Sequence, residues 1–185
     1  MQGNSWFTSD HHWYHRNIAK YCPYTRQGDT PEQMTEMIIH NISTQVKPGD
    51  VIYNLGDVSF GTEDQTESAL KKIKKMRVQH HLILGNHDKG IRKSQKLQDQ
   101  FTSISDIKEI TIDKQVFVMS HMKMTTWNRS SYGSIHLHGH LHSKFQPNFD
   151  NALDVGIDTR GGMKMYSYDE VMSIMGFCKR QQFHH

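Results

Sequence analysis

The sequence predicts a single α/β domain built around two sheets, and three observations support this prediction. The chain has 185 residues, close to the length of one domain. Short β-rich runs alternate with helical stretches in the first half, in the order βαβαβ. The second half is mainly β, with no Ser-, Gly- or Pro-rich linker before it. We therefore expect one domain over residues 1–183, followed by His184-His185, which resemble the remnant of a purification tag.

The predicted elements of the first half are strands followed by polar residues, with helices between them. Residues 6–8, 51–55 and 81–84 are short apolar runs typical of buried strands. Thr30-Pro31 begins a helix, because Thr30 suits the N-cap and proline fits the first helical position. A second helix is predicted over residues 64–76, and its lysines are typical of a solvent-exposed face.

The second half is predicted to begin after a polar stretch from Lys89 to Gln100. Residues 107–112 and 115–119 are expected to form a β-hairpin around an Asp113-Lys114 turn. Short strands are predicted over 134–137 and 153–157. A last helix is predicted to begin at Ser167 or Asp169, as both are residue types found at helix N-termini.

Composition excludes several classes of protein and partner. Hydrophobic residues make up 35% of the chain and charged residues 22%, which is typical of a globular protein and not of a disordered one. The net charge of +3 is small, so a nucleic-acid partner is not favoured. No apolar run is long enough to span a bilayer, so we expect no membrane partner and a cytoplasmic location. Cys22 and Cys178 are far apart and are expected to be reduced thiols.

Histidine is abundant, with 14 residues, and many of the histidines follow predicted strands. Loops at strand ends are where α/β folds gather their functional sites. Carboxylates, imidazoles and one amide without a thiolate suit a divalent cation such as Mn²⁺, Fe²⁺ or Zn²⁺. The clusters are Asp10-His11-His12, Gly56-Asp57, Gly85-Asn86-His87-Asp88, Ser120-His121 and His138-Gly139-His140-Leu141-His142.

Two geometric expectations follow from these clusters. If the strand continues through them, His140 and His142 lie on one face and serve two neighbouring metals, because residues i and i+2 of a strand point the same way. The same periodicity turns His11 away from its neighbours, towards a surface or structural position. The glycines before Asp57, Asn86 and His140 allow positive φ angles and close backbone approach.

The order of these motifs, D-x-H, G-D, G-N-H-D, H and G-H-x-H, resembles that of the calcineurin-like metallophosphoesterases. The resemblance extends from Asp10 to His142 and is strongest to short bacterial and phage members, which implies the cytoplasm of a bacterium or of a phage host. The implied fold is a four-layer αββα sandwich of two mixed β-sheets flanked by helices.

The resemblance also implies two divalent cations, with Mn²⁺ favoured and Fe, Zn, Ni or Co as alternatives. A hydroxide held between the cations would be the nucleophile. His87 would be the general acid, and Asp88 beside it would fix the tautomer of His87. The implied ligands are Asp10, His12 and His142 for the first cation, and Asn86, His121 and His140 for the second, with Asp57 shared by both.

Short intervals between the motifs leave no room for a cap domain, so loops are expected to select the substrate. Trp127, Arg129 and Tyr132 lie in one such loop and are candidates for base stacking and phosphate binding, with a surface loop as the alternative. His15 is a candidate for turning towards the phosphate, with a surface or helix-start role as the alternative.

The favoured function is that of a phosphodiesterase acting on a small nucleotide-type phosphoester, such as a cyclic nucleotide. The protein-phosphatase pattern G-D-x-x-D-R-G is absent, which disfavours phosphoproteins as substrates. The alternatives are a phosphomonoesterase or nuclease of the same family, and a non-catalytic scaffold that retains the fold.

Overall fold

The computed structural model describes residues 3–26, 28–142 and 151–182, with side chains described as far as Gly176. His184, His185 and the Cys178 side chain therefore lie outside the described residues. The strands are β1 (Ser5–Thr8), β2 (Val51–Asn54), β3 (Gln79–Ile83), β4 (Ser103–Ser105), β5 (Ile107–Ile112), β6 (Gln115–Ser120), β7 (Ile135–His138), β8 (Ala152–Asp154) and β9 (Tyr166–Ser167). The helices are α1 (Ile18–Tyr21), α2 (Pro31–Gln45), α3 (Glu63–Lys75), α4 (Lys89–Lys93), α5 (Gln95–Gln98) and α6 (Tyr168–Gln182).

Two mixed sheets flanked by helices form the molecule, and this confirms the expected fold class. The first sheet has the order β4-β3-β2-β1-β9, and all of its neighbours are parallel except β1 and β9. The second has the order β5-β6-β7-β8, with an antiparallel hairpin followed by parallel pairs. Because carboxyl ends of parallel strands meet at one edge, the loops after these strands are brought close together.

The core lies between the two sheets and beneath the helices of the first sheet. The Phe7 ring packs on Tyr53 of its own sheet at 5.6 Å and on Phe117 of the other sheet at 5.5 Å between ring centroids. On the opposite face of the first sheet, α2 and α3 bury side chains such as Ile38 and Leu70. Each such side chain contributes about 1.5–3 kcal/mol of burial energy, so the strands that carry the site loops are firmly supported.

Local sequence accounts for the ends of the main helices and for the hairpin. Thr30 caps α2 by accepting the backbone N–H of Gln33, with proline following at the first helical position. Thr62 caps α3 in the same manner, through a reciprocal capping box. Asp113 and Lys114 both have positive φ angles, as a two-residue hairpin turn requires, so the predicted hairpin is confirmed.

The structure also contains elements that the sequence did not predict. The polar stretch after Lys89 contains the short helices α4 and α5, and the first sheet gains β4 and β9 at its two edges. These strands have three and two residues, which is too short for an alternating pattern to be recognised. In the described ranges, no helix combines the length and the apolar character needed to cross a membrane.

Candidate metal centre

The histidine-rich loops meet at one edge of the two sheets. Backbone hydrogen bonds connect the loop after β1 to the loop after β2, where Asp10 N–H donates to Gly56 O at 2.9 Å and His12 N–H donates to Asp57 O at 3.0 Å. The second sheet joins them through His140, whose backbone N–H lies 3.0 and 3.1 Å from the two carboxylate oxygens of Asp10. The motif residues of both sheets therefore converge on one place.

Several of the expected ligands have backbone conformations that are unfavourable for residues with side chains. A non-glycine residue in the left-handed region costs about 1–3 kcal/mol and persists only where the surroundings enforce it. Such strain is concentrated at functional sites in many proteins, which supports a function for these loops. The residues with positive φ are Asp10 at 59°, His12 at 48°, Asp57 at 55°, His140 at 72° and His142 at 49°.

Close approach of the loops depends on two glycines. A Cβ atom on Gly85 would lie 2.2 Å from Asp57 Oδ1, and one on Gly139 would lie 2.5 Å from Asp10 Oδ2. Neither glycine has a positive φ, so here the absence of a side chain matters more than backbone freedom. The expected positive φ is found at Gly56.

The first group of candidate ligands consists of Asp10, His12 and His142, whose ligand atoms lie within 4.8 Å of one another. The Nε2 atoms of His12 and His142 are 3.2 Å apart, and each is 3.8 Å from Asp10 Oδ1. Burial lowers the pKa of His12 to about 2, so its imidazole is neutral and able to bind a metal. This group matches the set expected for the first cation.

The second group consists of Asp57, His121 and His140. His121 Nδ1 donates to the backbone oxygen of Leu55 at 2.7 Å, which leaves Nε2 as the nitrogen available to a metal. That Nε2 is buried without a hydrogen-bond partner, 3.3 Å from Asp57 Oδ2. The same carboxylate oxygen is 3.9 Å from His12 Nε2 of the first group, so Asp57 of the second group also faces the first.

Both groups fit divalent cations. Imidazole nitrogens and carboxylate oxygens converge in each, and buried carboxylates such as Asp10 require a nearby positive charge. Burial raises the pKa of Asp10, which is the response of a carboxylate that lacks sufficient positive charge around it. The donor set, without a thiolate in either group, suits Mn²⁺, Fe²⁺ or Zn²⁺.

Asp158 and Arg26 support the first group, although sequence reasoning did not identify them. Asp158 Oδ2 accepts a hydrogen bond from His142 Nδ1 at 2.7 Å and another from Arg26 Nη2 at 2.7 Å. Burial alone would lower the pKa of His142, but the hydrogen bonds to Asp158 and Cys22 and the negative charges of Asp10 and Asp158 together outweigh it and raise that pKa to about 10. With Nδ1 donating to Asp158, His142 presents Nε2 to the first group. No sequence pattern surrounds either residue, so only the structure reveals the pair.

Arg26 is committed to this support through both of its terminal guanidinium nitrogens. Its guanidinium also donates to the backbone oxygens of His11 and Asp10, and its side chain is completely buried. Cys22 Sγ lies 3.6 Å from His142 Nδ1 and forms a third cluster with His142 and Asp158. Because Arg26 already supplies the positive charge at the Asp158 carboxylate, we assign no cation to this third cluster.

Asn86 and His87 lie beside Asp57, in the loop after β3. The backbone N–H of His87 donates to Asp57 Oδ1 at 2.9 Å, and Asn86 is the exposed residue just before it. The His87 side chain is 47% exposed, and its Nε2 is 4.0 Å from Asp57 Oδ2. An accessible imidazole at this position is suited to exchanging a proton with a bound substrate.

Asp88 differs from the expectation that it fixes the tautomer of His87. Its carboxylate accepts the backbone N–H groups of Asp57, Val58 and Gly85 at 2.8–2.9 Å. The hydrogen bonds described for Asp88 thus connect two loops and do not involve the His87 ring. Asp88 is a positioning residue for the loop that carries Asp57.

The strand-periodicity argument for the histidines holds only in part. Strand β7 ends at His138, so His140 and His142 follow it with left-handed backbone conformations and do not share a strand face, although they belong to two neighbouring ligand groups as expected. Of the two positions expected for His11, at the surface or structural, the structure shows the structural one, because His11 is buried. It lies 2.8 Å from Thr8 Oγ1, and its ring stacks on Trp13 at 5.5 Å, which makes it a structural residue.

His15 lies at the rim of the site, together with Phe60, which the sequence did not single out. The centroid of the His15 ring is 5.8 Å from that of His12 and 4.2 Å from that of Phe60. The Phe60 ring also contacts His12 at 5.3 Å and His87 at 4.8 Å. The only available signal was its place in sequence, three residues after Asp57.

The predicted substrate loop lies elsewhere. Arg129 and Tyr132 line a cavity of about 450 Å³ at the start of β7, beside Gly133, and the candidate ligands follow the other end of that strand. The two ends of this four-residue strand are about 10 Å apart. Trp127 packs inward, with Nε1 donating to Ser134 Oγ at 3.0 Å and its ring 5.1 Å from that of His136. The expectation that these three residues bind substrate at the metal centre is therefore wrong.

Comparison with known proteins finds relatives that align with most of this chain. An uncharacterised protein of Methanocaldococcus jannaschii is 27% identical over 135 residues, which covers 73% of this chain and 67% of that protein. The gene 66 protein of Mycobacterium phage D29 is 28% identical and covers 93% of this chain and 96% of its own length. A solved Aquifex aeolicus protein of unknown function has the same fold, with a TM-score of 0.74, 24% identity, and coverage of 92% of this chain and 98% of that one.

The family itself is established by a broader match. The sequence model of the calcineurin-like phosphoesterases matches residues 4–158, which include both groups of candidate ligands and the loops that carry them. The two mixed sheets and the position of the candidate ligands at their common edge agree with this match. The chain therefore belongs to the calcineurin-like phosphoesterase family.

Proposed function

We propose that this phosphoesterase is a phosphodiesterase that uses two divalent cations and acts on a small nucleotide-type substrate. The observation that supports it most is that two groups of candidate ligands lie next to each other, with the Asp57 carboxylate of the second group close to His12 of the first. Two cations about 3.5–4 Å apart would activate water and stabilise the charge that develops on a phosphoryl group. Asp10, His12 and His142 would hold one cation, and Asn86, His121 and His140 the other.

The residues outside the ligand groups have separate tasks in this proposal. His87, accessible beside Asp57, would donate a proton to the leaving oxygen of the substrate. Asp88 and Asp158 would act through others, the first by fixing the Asp57 loop and the second by orienting His142. Replacing His87 should therefore reduce turnover without reducing the metal content.

The charges around the site favour a diester over a monoester. Arg26 is the buried cation nearest the first ligand group, and it is committed to Asp158 and to two backbone oxygens. It is therefore not free to bind a phosphate oxygen. A diester carries one negative charge where a monoester near neutral pH carries up to two, so a diester requires fewer cationic side chains at the site.

The experiment that tests the function compares two model substrates on metal-stripped protein reloaded with Mn²⁺. We expect bis-p-nitrophenyl phosphate, a diester, to be hydrolysed faster than p-nitrophenyl phosphate, a monoester. The opposite ratio would favour the phosphomonoesterase alternative. No hydrolysis of either substrate at full metal occupancy would favour the non-catalytic scaffold.

The role of His87 has its own test, because p-nitrophenolate is a good leaving group that needs little protonation. His87→Ala should lower the hydrolysis rate of a dinucleoside phosphate, which has an alkoxide leaving group, by about 10²–10⁴-fold. The rate on bis-p-nitrophenyl phosphate should fall much less. Equal losses on both substrates, with unchanged metal content, would show that His87 does not act as the acid.

A further inference from the structure

Phe60 is held rigidly beside the candidate metal centre. Its backbone N–H donates to Trp13 O at 2.8 Å, and Trp13 N–H donates to Val58 O at 2.9 Å. The residues from Asp57 to Phe60 thus run alongside His12 and Trp13 as a short parallel ladder. Helix α3 begins directly afterwards, with Thr62 as its cap. Phe60 is therefore fixed on both sides by hydrogen-bonded backbone.

The Phe60 ring remains accessible in spite of its contacts. It touches the rings of His12, His15 and His87, yet the residue is 42% exposed. An aromatic ring that is held by its neighbours and remains partly accessible can stack on a planar ligand with little loss of conformational entropy. Base–aromatic stacking of this kind tolerates different bases, because every base has a π face.

Phe60 also lines a groove whose lining includes none of the candidate ligands. Its volume is about 440 Å³, within the range of about 300–1,000 Å³ typical of small-molecule sites. Its lining includes Tyr14, His15, Arg16, Phe60, Thr62 and Gln65. His15 Nδ1 accepts the backbone N–H of Asn17, so a neutral His15 carries its proton on Nε2 and has a hydrogen-bond donor to offer there. The groove thus combines aromatic rings with polar side chains.

We propose that this groove is a subsite for the nucleoside attached to the leaving oxygen of the substrate, with the base stacked on Phe60. The inference rests on the proposed function, in which His87 protonates the leaving oxygen. Because Phe60 packs directly against His87, the group attached to that oxygen extends over the Phe60 ring. Arg16 and His15 then offer hydrogen-bond donors to the sugar and the base edge.

The test is a binding measurement with two ligands that differ only in the base. Adenosine 5′-monophosphate and ribose 5-phosphate share the sugar and the phosphate, and equilibrium dialysis gives their affinities for the Mn²⁺-loaded protein. Stacking of one base should increase affinity by about 5- to 150-fold. We expect Phe60→Ala to remove this difference and Phe60→Tyr to retain it, with unchanged affinity for ribose 5-phosphate.

Tyr132→Ala is the matched control, because it removes an exposed aromatic ring, 90% accessible, at the other end of β7. It should leave the preference for the adenine nucleotide as in the wild-type protein. Phe60→Leu keeps apolar bulk against His12 but has no π face, and it should behave as Phe60→Ala does. Equal wild-type affinities for the two ligands, or a preference that survives in Phe60→Ala, would overturn the subsite.

The two proposals fail in different ways. If the wild-type protein hydrolyses phosphodiesters but binds both ligands equally, the subsite is wrong and the proposed function stands. If the base-dependent affinity depends on Phe60 but no phosphoester is hydrolysed, the groove binds nucleotides and the proposed function is wrong.

Discussion

Replacing Asp158 by Asn tests whether a charged acceptor behind His142 is needed for the first cation. Three donors converge on the Asp158 carboxylate, namely Thr25 Oγ1, Arg26 Nη2 and His142 Nδ1, each at 2.7 Å. These interactions hold the pKa of Asp158 well below its usual range, against the effect of burial. Asn keeps the shape of the side chain but removes the charge and replaces one oxygen by an N–H donor.

Two effects of Asp158→Asn follow, and both have an expected size. Loss of the carboxylate leaves the buried Arg26 guanidinium without its anionic partner, which costs about 3 kcal/mol of unfolding free energy. His142 Nδ1 and Arg26 Nη2 both donate to Oδ2, so Asn places its amide oxygen there and turns its N–H groups towards the Thr25 hydroxyl, and the imidazole keeps an acceptor but loses the carboxylate charge that makes it a stronger ligand. Second-layer changes of this kind weaken metal binding by about 10- to 100-fold. We expect that loss at one of the two cation sites.

The assay is a titration of metal-free protein with Mn²⁺, together with urea denaturation in the absence of metal. Asp154→Asn is the matched control, because Asp154 is a buried carboxylate of the same region. Burial and the nearby Asp10 raise the pKa of Asp154 to about 7, so replacing it by Asn removes less negative charge than the same change at Asp158. Wild-type affinity at both sites in Asp158→Asn, or an equal loss in Asp154→Asn, would refute the reasoning.

Three further predictions concern packing, acid stability and metal removal. Gly85→Ala should lower the free energy of unfolding, measured by urea denaturation, by at least about 2 kcal/mol, because the new Cβ would lie 2.5 Å from the Asp57 backbone nitrogen. Gly90→Ala is the control: Gly90 has open space around it within helix α4, so this change should stabilise the protein by about 0.5–1 kcal/mol. Burial lowers the pKa of His80 to about 3, below the value of about 6.5 expected in the unfolded chain. As the pH falls below about 6.5, the unfolded state takes up a proton that the folded state does not, so the free energy of unfolding falls by about 1.4 kcal/mol per pH unit. His80→Leu should remove one proton's worth of this slope between neutral pH and about pH 5. A chelator should lower the melting temperature, because each cation at a hundred times its Kd adds about 2.7 kcal/mol, and an unchanged melting temperature would contradict metal binding.

The sequence was informative about the fold wherever local chemistry decides the structure. The strands after which Asp10 and Asp57 follow are apolar runs, and the Thr30-Pro31 cap begins its helix where the pattern predicts. The edge strands β4 and β9 could not be predicted, because their stability comes from pairing with β3 and β1 and not from their own two or three residues. Tertiary pairing, absent from any local window, determines them.

In the candidate site, too, the features that local motifs mark could be predicted, and those that depend on tertiary contacts could not. Motif spacing was sufficient to expect the histidine-rich loops at one edge, and the structure brings those loops together. Asp158 and Phe60 act through contacts with residues distant in the chain or through exposure, and neither leaves a sequence pattern. Trp127 and Tyr132 were misplaced because aromatic composition does not reveal which end of a strand a loop approaches.

The first ligand group and the buried contact between Arg26 and Asp158 that supports it join residues that are synthesised at very different times. Asp10 and Asp158 are 148 positions apart, an interval that takes about 7–30 s to translate at about 5–20 residues per second. During that time Asp10 and His12 lack both His142 and the carboxylate that orients it. The first ligand group can therefore close only after nearly the whole domain has been made, so a cation held by all three of its ligands would bind after synthesis of the domain and not during it.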